Sequence, residues 1–218
     1  MVNGLRDEVQ ALAVVDAIRN EGGDAPAFAA DVTDELHVAE LVAAVTDRLG
    51  AIDVVVVNPT GPEPEAPLRE VPWQEHVAQL EFFVKSPVLL GRAVLEGMLA
   101  QGWGRIIQID SEVVGQIPEG RSAYVTAKSA QVGLTRCWAR ELAPFGIIVN
   151  TVAPGFVPVE RHADVSAEVR GAYLSSVPAG RMGTPTDVAE AVPFFASEAA
   201  GFVTGQRLVV DGGRGLTA

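Results

Sequence analysis

The sequence predicts an α/β fold in which an open, doubly wound parallel sheet is covered by helices on both faces. Short apolar segments alternate with amphipathic helical segments along the chain, and this alternation is typical of parallel βαβ units. Hydrophobic residues make up 48% of the 218 residues and charged residues 20%, so the chain has enough apolar surface to fold around a core. The length favours one large domain, and we expect a single domain over residues 1–218.

Two helices and two strands are predicted in the first part of the chain. Apolar residues at helical spacing predict a helix over Asp7 to Glu21. Ala25 to Ala30 is a short apolar strand, and Thr33 is expected to cap the helix that follows it. Ile52 to Val57 is an almost continuous β-branched segment, which predicts a strand buried on both faces.

The middle of the chain is predicted to continue the alternation. A long helix begins near Trp73, and Pro87 should kink it because proline has no amide hydrogen to donate. Arg105 to Ile109 predicts a strand, Ser122 to Leu142 a helix, and Ile147 to Val152 the next strand.

The last part of the chain is predicted to contain two helices and the final strand. Ser166 to Ser176 predicts a short helix. Thr184-Pro185-Thr186-Asp187 is a typical helix start, with a capping residue followed by proline in the first turn. Gln206 to Val210 predicts the last strand.

Charge and composition exclude several classes of partner and location. The net charge of −12 would repel a phosphate backbone, so nucleic acid is not expected as a partner. No apolar stretch approaches the ~20 residues that a membrane span requires, and the N-terminal residues lack the pattern of a signal peptide. The single cysteine, Cys137, excludes an intrachain disulfide and is expected to be a small buried helix residue. These observations predict a cytoplasmic protein.

Tyr124 and Lys128 form the first candidate site. They are four residues apart on a predicted helix and therefore lie on the same face. An ammonium group near a phenol lowers the pKa of the phenol, which makes it a better proton donor at neutral pH. Ser111 follows a predicted strand, and ligands of parallel sheets bind beyond the carboxyl ends of strands. An exposed pair without a catalytic role is the alternative for an isolated Tyr-x-x-x-Lys motif.

Six short motifs follow one another in a fixed order. They are Asp31-Val32, Asn58-x-x-Gly61, Ser111, Tyr124-x-x-x-Lys128, Asn150-x-x-x-Pro154-Gly155, and Thr204-Gly205-Gln206 with Asp211-Gly212-Gly213. In this order and spacing the chain resembles the short-chain dehydrogenase/reductases, and it is most similar to the branch that contains the 3-oxoacyl-[acyl-carrier-protein] reductases. The resemblance implies a Rossmann-like fold and hydride transfer between NADP or NAD and a carbonyl or alcohol substrate.

The resemblance also implies roles for three residues at the reacting atoms. Tyr124 would donate a proton to the substrate carbonyl oxygen, and Ser111 would hydrogen-bond that oxygen. Lys128 would lower the pKa of Tyr124 and bind the nicotinamide ribose. Together these roles imply a carbonyl reductase or alcohol dehydrogenase, with a 3-oxoacyl thioester as a candidate substrate.

Cofactor-binding residues are implied in the same way. Asp31 and Val32 would border the adenine, Asn58 and Gly61 would line the cofactor groove, and Pro154-Gly155 would lie near the nicotinamide. Plainer interpretations remain for each of them, as a helix-flanking turn, a strand-ending turn and a loop break respectively. Relatives of this kind usually form dimers or tetramers, so a homo-oligomer is also implied.

The N-terminal part of the chain departs from the family pattern. No Gly-rich turn precedes the first helix. In the family, the turn of the first βα unit binds the pyrophosphate of the cofactor, so we expect that this unit is absent. Either a late start codon or a real truncation would explain its absence. Loss of that unit would separate the Ala25 to Ala30 strand from the main sheet. Asn3 occupies the region where NAD-dependent enzymes carry an acidic residue, and Arg6 could meet a 2′-phosphate, so NADPH is the expected cofactor.

Other departures concern the site itself. Phe83 stands where the family commonly carries an asparagine that supports a proton relay, so a different or slower relay is expected. Asp110 and Glu112 flank Ser111 and are interpreted as solvated loop carboxylates, or as groups that disfavour acidic substrates. The three histidines have no paired ligand spacing, so no metal site is predicted.

Two alternative functions remain open at this stage. The missing Gly-rich turn favours a non-catalytic binding or assembly subunit that has lost its cofactor. A halohydrin dehalogenase-like lyase also lacks that turn, but such proteins carry arginine at the position of Lys128.

Overall fold

The computed structural model describes residues 2–4, 8–59 and 61–216. The six strands in these ranges are β1 (Val2–Gly4), β2 (Ala27–Ala29), β3 (Val54–Val57), β4 (Gly104–Ile109), β5 (Ile147–Pro154) and β6 (Arg207–Val210). The α-helices are α1 (Glu8–Asn20), α2 (Glu35–Leu49), α3 (Trp73–Leu80), α4 (Ser86–Gln101), α5 (Val113–Gln116), α6 (Ser122–Leu142), α7 (Ala167–Ser175), α8 (Pro185–Ala189) and α9 (Ala191–Ala196). The predicted order of elements is confirmed.

All strand pairs in the described residues are parallel, and they form two sheets. β3, β4, β5 and β6 follow one another in a four-stranded sheet, whereas β1 pairs with β2 in a separate two-stranded sheet. The parallel α/β prediction is therefore confirmed. The strand predicted over Ala25 to Ala30, observed as β2, lies outside the four-stranded sheet, as expected.

The central strands of the larger sheet are covered on both faces. Ile106 of β4 packs into a core with Met98 of α4 and Leu142 of α6. The next residue, Ile107, points to the opposite face and packs with Phe195 of α9. Because successive side chains of a strand alternate between faces, this pair shows the two-layered covering that the apolar strand sequences predicted.

The prediction that Ile52 to Val57 is buried on both faces is wrong. Only Val57 of β3 is fully buried, and Val56 is 43% exposed. In the described part of the chain β3 pairs with β4 alone, so one of its edges lacks the neighbour that would cover it.

The cap of α2 also differs from the prediction. Asp34, not Thr33, is the cap, and its carboxylate accepts the His37 amide hydrogen at 2.9 Å. This hydrogen bond lowers the pKa of Asp34. The Thr33 hydroxyl instead donates to the Asp31 carboxylate at 2.7 Å.

The long helix predicted from Trp73 changes type just before Pro87. A π-helical turn over Glu81–Lys85 separates α3 from α4, and Pro87 then lies in the first turn of α4. A wide turn placed before proline removes the requirement for the hydrogen bond that its ring nitrogen cannot donate. The predicted irregularity is therefore present, and it begins at Glu81.

Cys137 was expected in the interior but lies at the surface, and so does the side chain of Trp73. Cys137 is exposed, and Trp73 is 66% exposed with its ring stacked on His76 at 5.8 Å between centroids. Among the described residues, no helix combines the length and the apolar character needed to cross a bilayer.

Candidate active site

Ser111 lies at the carboxyl ends of β4 and β5. The Asp110 amide donates to the Val152 carbonyl at 2.8 Å, and the Glu112 amide donates to the Pro154 carbonyl at 2.8 Å. These two bonds hold the Ser111 loop beside Pro154. The Ser111 hydroxyl accepts the Val113 amide hydrogen at 3.4 Å.

Tyr124 and Lys128 lie in the first two turns of α6, and both are buried, with exposures of 7% and 3%. Lys128 Nζ donates to the Ile109 carbonyl at 2.9 Å and to Gln131 Oε1 at 3.2 Å. Ile109 is the last residue of β4 and precedes Ser111 by two positions. The structure therefore brings Lys128 to the strand end that carries Ser111, with Tyr124 one helical turn away on the same face.

An aromatic side chain contacts both members of this pair. The Phe83 ring meets the Tyr124 ring edge-on at 5.3 Å between centroids. Lys128 Nζ lies 3.9 Å from the centroid of the same ring. The family resemblance put Phe83 at a position of the proton relay. The structure places its ring in contact with both Tyr124 and Lys128.

The two carboxylates beside Ser111 are not solvated, so that prediction is wrong. Asp110 and Glu112 are both buried. Arg207 Nε donates to Asp110 Oδ2 at 2.7 Å, and Arg214 Nη1 lies 3.2 Å from Glu112 Oε2. Burial raises the pKa of Asp110, and the charges of Arg207 and Lys128 partly offset this effect. Arg207 also donates to the Ser111 carbonyl.

We expect Arg207→Met to destabilise the fold, because it leaves the Asp110 carboxylate buried without its main partner. Breaking a buried ion pair costs about 3 kcal/mol at about pH 7.5. A carboxyl whose pKa is raised in the folded state binds a proton that the unfolded state releases, so stability increases as the pH falls through that folded pKa. The loss should therefore shrink as the pH is lowered from about 7.5 towards about 5, because protonation of Asp110 removes the buried charge.

Urea unfolding at the two pH values measures this effect. Arg140→Met, at an exposed position near the end of α6, is the matched control and should change stability little at either pH. An equal loss for Arg207→Met at both pH values would show that the buried charge is not its cause.

Tyr173 connects α7 to the Ser111 loop. Its hydroxyl donates to Glu112 Oε1 at 2.8 Å and accepts the Phe156 amide hydrogen at 2.7 Å. Burial and the Glu112 carboxylate raise the pKa of Tyr173. Neither Tyr173 nor Arg214, the ion-pair partner of Glu112, was predicted from the sequence, since no motif marks a contact between residues so far apart in the chain.

A cavity of about 250 Å³ opens beside this connection. Its lining includes Gly155, Phe156, Tyr173 and Asp211. A Cβ atom at Gly155 would lie 2.5 Å from the Tyr173 hydroxyl and 3.1 Å from Asp211. Only glycine fits there without displacing these neighbours, and Gly155 is the residue of the Pro154-Gly155 motif that lines the cavity.

The other predicted cofactor residues are divided between the two sheets. Asn58 follows β3, at the same sheet end as Ser111, and Gly61 lies so near Phe82 that a Cβ atom would be 2.9 Å from its ring. Asp31 and Val32 follow β2 in the two-stranded sheet, where Asp31 accepts two hydrogen bonds from Thr33. Their roles in cofactor binding stay predictions.

Two further inferences from the sequence concern the choice of cofactor and metal binding. Arg6, on which part of the NADPH prediction rests, lies outside the described residues. In the ranges that the structure describes, no three His, Cys, Asp or Glu side chains are grouped in a way that could hold a metal ion.

The chain is similar to several known proteins. A family model described as enoyl-(acyl carrier protein) reductase matches residues 4–214. The 3-oxoacyl-[acyl-carrier-protein] reductase FabG of Vibrio cholerae is 37% identical over 192 residues, which cover 88% of this chain and 78% of that protein. The cis-4-hydroxycyclohexanecarboxylate dehydrogenase of Sinomonas cyclohexanicum is 38% identical over 201 residues, covering 92% and 80%.

A solved structure shares the fold along the whole chain. The gluconate 5-dehydrogenase of Burkholderia cenocepacia, solved in complex with NADP and tartrate, superposes with a TM-score of 0.91 at 30% identity. The match covers 100% of this chain and 85% of that one.

Proposed function

The chain belongs to the short-chain dehydrogenase/reductase family and is an NAD(P)-dependent oxidoreductase, and we propose that it reduces the carbonyl group of a small molecule. A 3-oxoacyl thioester is the leading candidate for the substrate. The observation that carries the proposal is the Lys128 hydrogen bond to the Ile109 carbonyl. It joins the Tyr124 and Lys128 pair to the strand end that carries Ser111. The relatives named above are reductases and dehydrogenases, so the two alternative functions are not favoured.

The chain's own residues have separate roles in this proposal. Tyr124 donates a proton to the carbonyl oxygen, and Ser111 hydrogen-bonds the same oxygen, which stabilises the charge that develops on it. Lys128 favours the ionised form of Tyr124 by its charge and binds the nicotinamide ribose. Asp31, Val32, Asn58, Gly61, Pro154 and Gly155 are proposed to contact the rest of the cofactor.

The residues at the sheet end fit the nicotinamide half of such a cofactor. Gly155 lines a cavity at the end of β5, and Lys128 Nζ supplies a donor at the neighbouring strand end. A bound NADPH or NADH supplies the hydride. NADPH is the proposed physiological form, with NAD as the alternative.

The organisation of the protein is proposed on the same basis. Residues 1–218 form one domain that assembles as a dimer or tetramer in the cytoplasm. The single cysteine fits a reducing compartment. Light scattering after size-exclusion chromatography measures the assembly.

The activity test uses the purified chain with NADPH or NADH and a panel of carbonyl compounds. The panel contains a 3-oxoacyl thioester, a 5-keto sugar acid and a substituted cyclohexanone, and oxidation of the reduced cofactor is followed by absorbance. Turnover of the thioester above the other two supports the proposed substrate. Turnover of another carbonyl keeps the reaction and replaces the substrate, whereas no oxidation with any of them contradicts the proposed reaction.

We expect Tyr173→Phe to weaken substrate binding more than it slows the chemical step. The substitution removes the hydroxyl that joins Phe156 of the cavity wall to Glu112 beside Ser111. Loss of a hydrogen bond to a charged partner predicts a rise in KM of about tenfold. A fall in kcat at unchanged KM would contradict this role, and Tyr173→Leu, which also removes the ring, should raise KM further.

A further inference from the structure

The ammonium group of Lys128 is enclosed by groups from three elements. The Ile109 carbonyl of β4 and Gln131 Oε1 of α6 accept hydrogen bonds from it. The face of the Phe83 ring, from the π-helical turn, lies against it at 3.9 Å. Gln131 is fully buried, and among the described residues its Nε2 has no hydrogen-bond partner.

The Phe83 ring is held by close packing. It is 2% exposed and packs in one cluster with Tyr124 and Ala127, both of which belong to α6. The π-helical turn that carries it is closed by the Ser86 amide, which donates to the Glu81 carbonyl. One rigid ring thus contacts the phenol through an edge and the ammonium through a face.

We propose that Phe83 is a positioning residue, which holds Lys128 beside Tyr124 by the attraction of its ring face for the ammonium group. The proposal rests on the proposed function for its consequence, since that function gives Lys128 its roles. The lysine side chain has four flexible carbons and a compact charge, so its position depends on every group that contacts the ammonium. A cation is attracted to the face of an aromatic ring, more strongly when both are desolvated, as they are here.

The position of Lys128 can be measured without any activity. The chain contains only two lysines, Lys85 and Lys128, so protein labelled with ¹³C-lysine gives two sets of side-chain signals. Protons above a ring face resonate upfield, and we expect the ε-methylene signal of Lys128 to lie upfield of that of Lys85. Phe83→Leu should remove this difference. Phe195→Leu, a control at a buried phenylalanine on the other face of the sheet, should leave it unchanged.

Kinetics test the consequence for the reaction. Phe83→Leu should lower kcat by about tenfold. It should also move the pH midpoint for alcohol oxidation upward, because a displaced ammonium no longer favours the Tyr124 phenolate. Phenylalanine analogues with one, two or three ring fluorines keep the shape but weaken the ring face, so incorporation at position 83 should lower kcat stepwise while the fold stays intact.

The outcomes separate this proposal from the proposed function. An unshifted Lys128 signal in the wild-type protein, or fluorinated proteins with unchanged kcat and pH midpoint, would overturn the positioning role. If the wild-type protein reduces no carbonyl compound, the proposed function fails, and the lysine spectrum still decides whether Phe83 holds Lys128. A Lys128 signal that stays upfield in Phe83→Leu would show that another group shields it, and this result also contradicts the proposal.

Discussion

Tyr124→Phe is expected to lower kcat for carbonyl reduction by about 10²- to 10⁴-fold, the contribution of a positioned general acid. The substitution removes one hydroxyl and keeps the ring that packs edge-on against Phe83. The free energy of unfolding and the affinity for NADPH should therefore change little. Steady-state kinetics, urea unfolding and calorimetric titration measure the three quantities on the same preparation.

The second tyrosine provides a comparison for this substitution. The chain contains only Tyr124 and Tyr173, and Tyr173→Phe is expected to raise KM and not to remove the proton donor. A Tyr124→Phe protein that retains near-normal turnover would remove Tyr124 from the mechanism. A loss of stability as large as the loss of activity would instead assign Tyr124 a packing role.

Lys128→Ala is expected to damage both cofactor affinity and turnover, since one ammonium group serves both. A hydrogen bond from a charged donor contributes about 1.5–3 kcal/mol, so the Kd for NADPH should rise by about 10- to 150-fold. Turnover should fall as well, because the charge that favours the Tyr124 phenolate is gone. The rate of alcohol oxidation should then recover partly as the pH rises, since a phenol without a neighbouring cation ionises only at higher pH.

Lys85→Ala is the matched control. Lys85 is half exposed, and its ion pair with Glu81 spans 3.9 Å, so its removal should leave Kd and kcat unchanged. Unchanged NADPH affinity in Lys128→Ala would contradict the ribose contact. A rate that does not recover with pH would contradict the electrostatic role toward Tyr124.

Local pattern predicted the parts of the site that lie on one element. The helix over Ser122 to Leu142 has the predicted bounds, and its periodicity alone places Tyr124 and Lys128 on one face. The apolar segments before Ser111 and Pro154 predicted adjacent strand ends, because short βαβ connections bring successive parallel strands to one sheet. Backbone hydrogen bonds and side-chain spacing within a few residues control these features.

The tertiary structure decided the environment of these residues. Asp110 and Glu112 look like ordinary loop carboxylates in the sequence, and their burial depends on Arg207 and Arg214, which lie about a hundred positions later in the chain. No local signal marks such a pairing. Desolvation of a charge depends on which groups surround it in space, whatever their distance along the chain.

The same distinction applies to Phe83 and to β3. The family comparison singled out position 83, but only packing of the π-helical turn against α6 places the ring over Lys128. The β-branched residues of β3 predicted a strand, and its place at an edge of the four-stranded sheet left Val56 exposed. The sequence by itself therefore determined the succession of elements and the residues at their ends, because these follow from short-range backbone preferences. Which side chains are buried, paired or in contact was decided by the tertiary structure, because burial and electrostatics act through space between segments that the chain brings together only on folding.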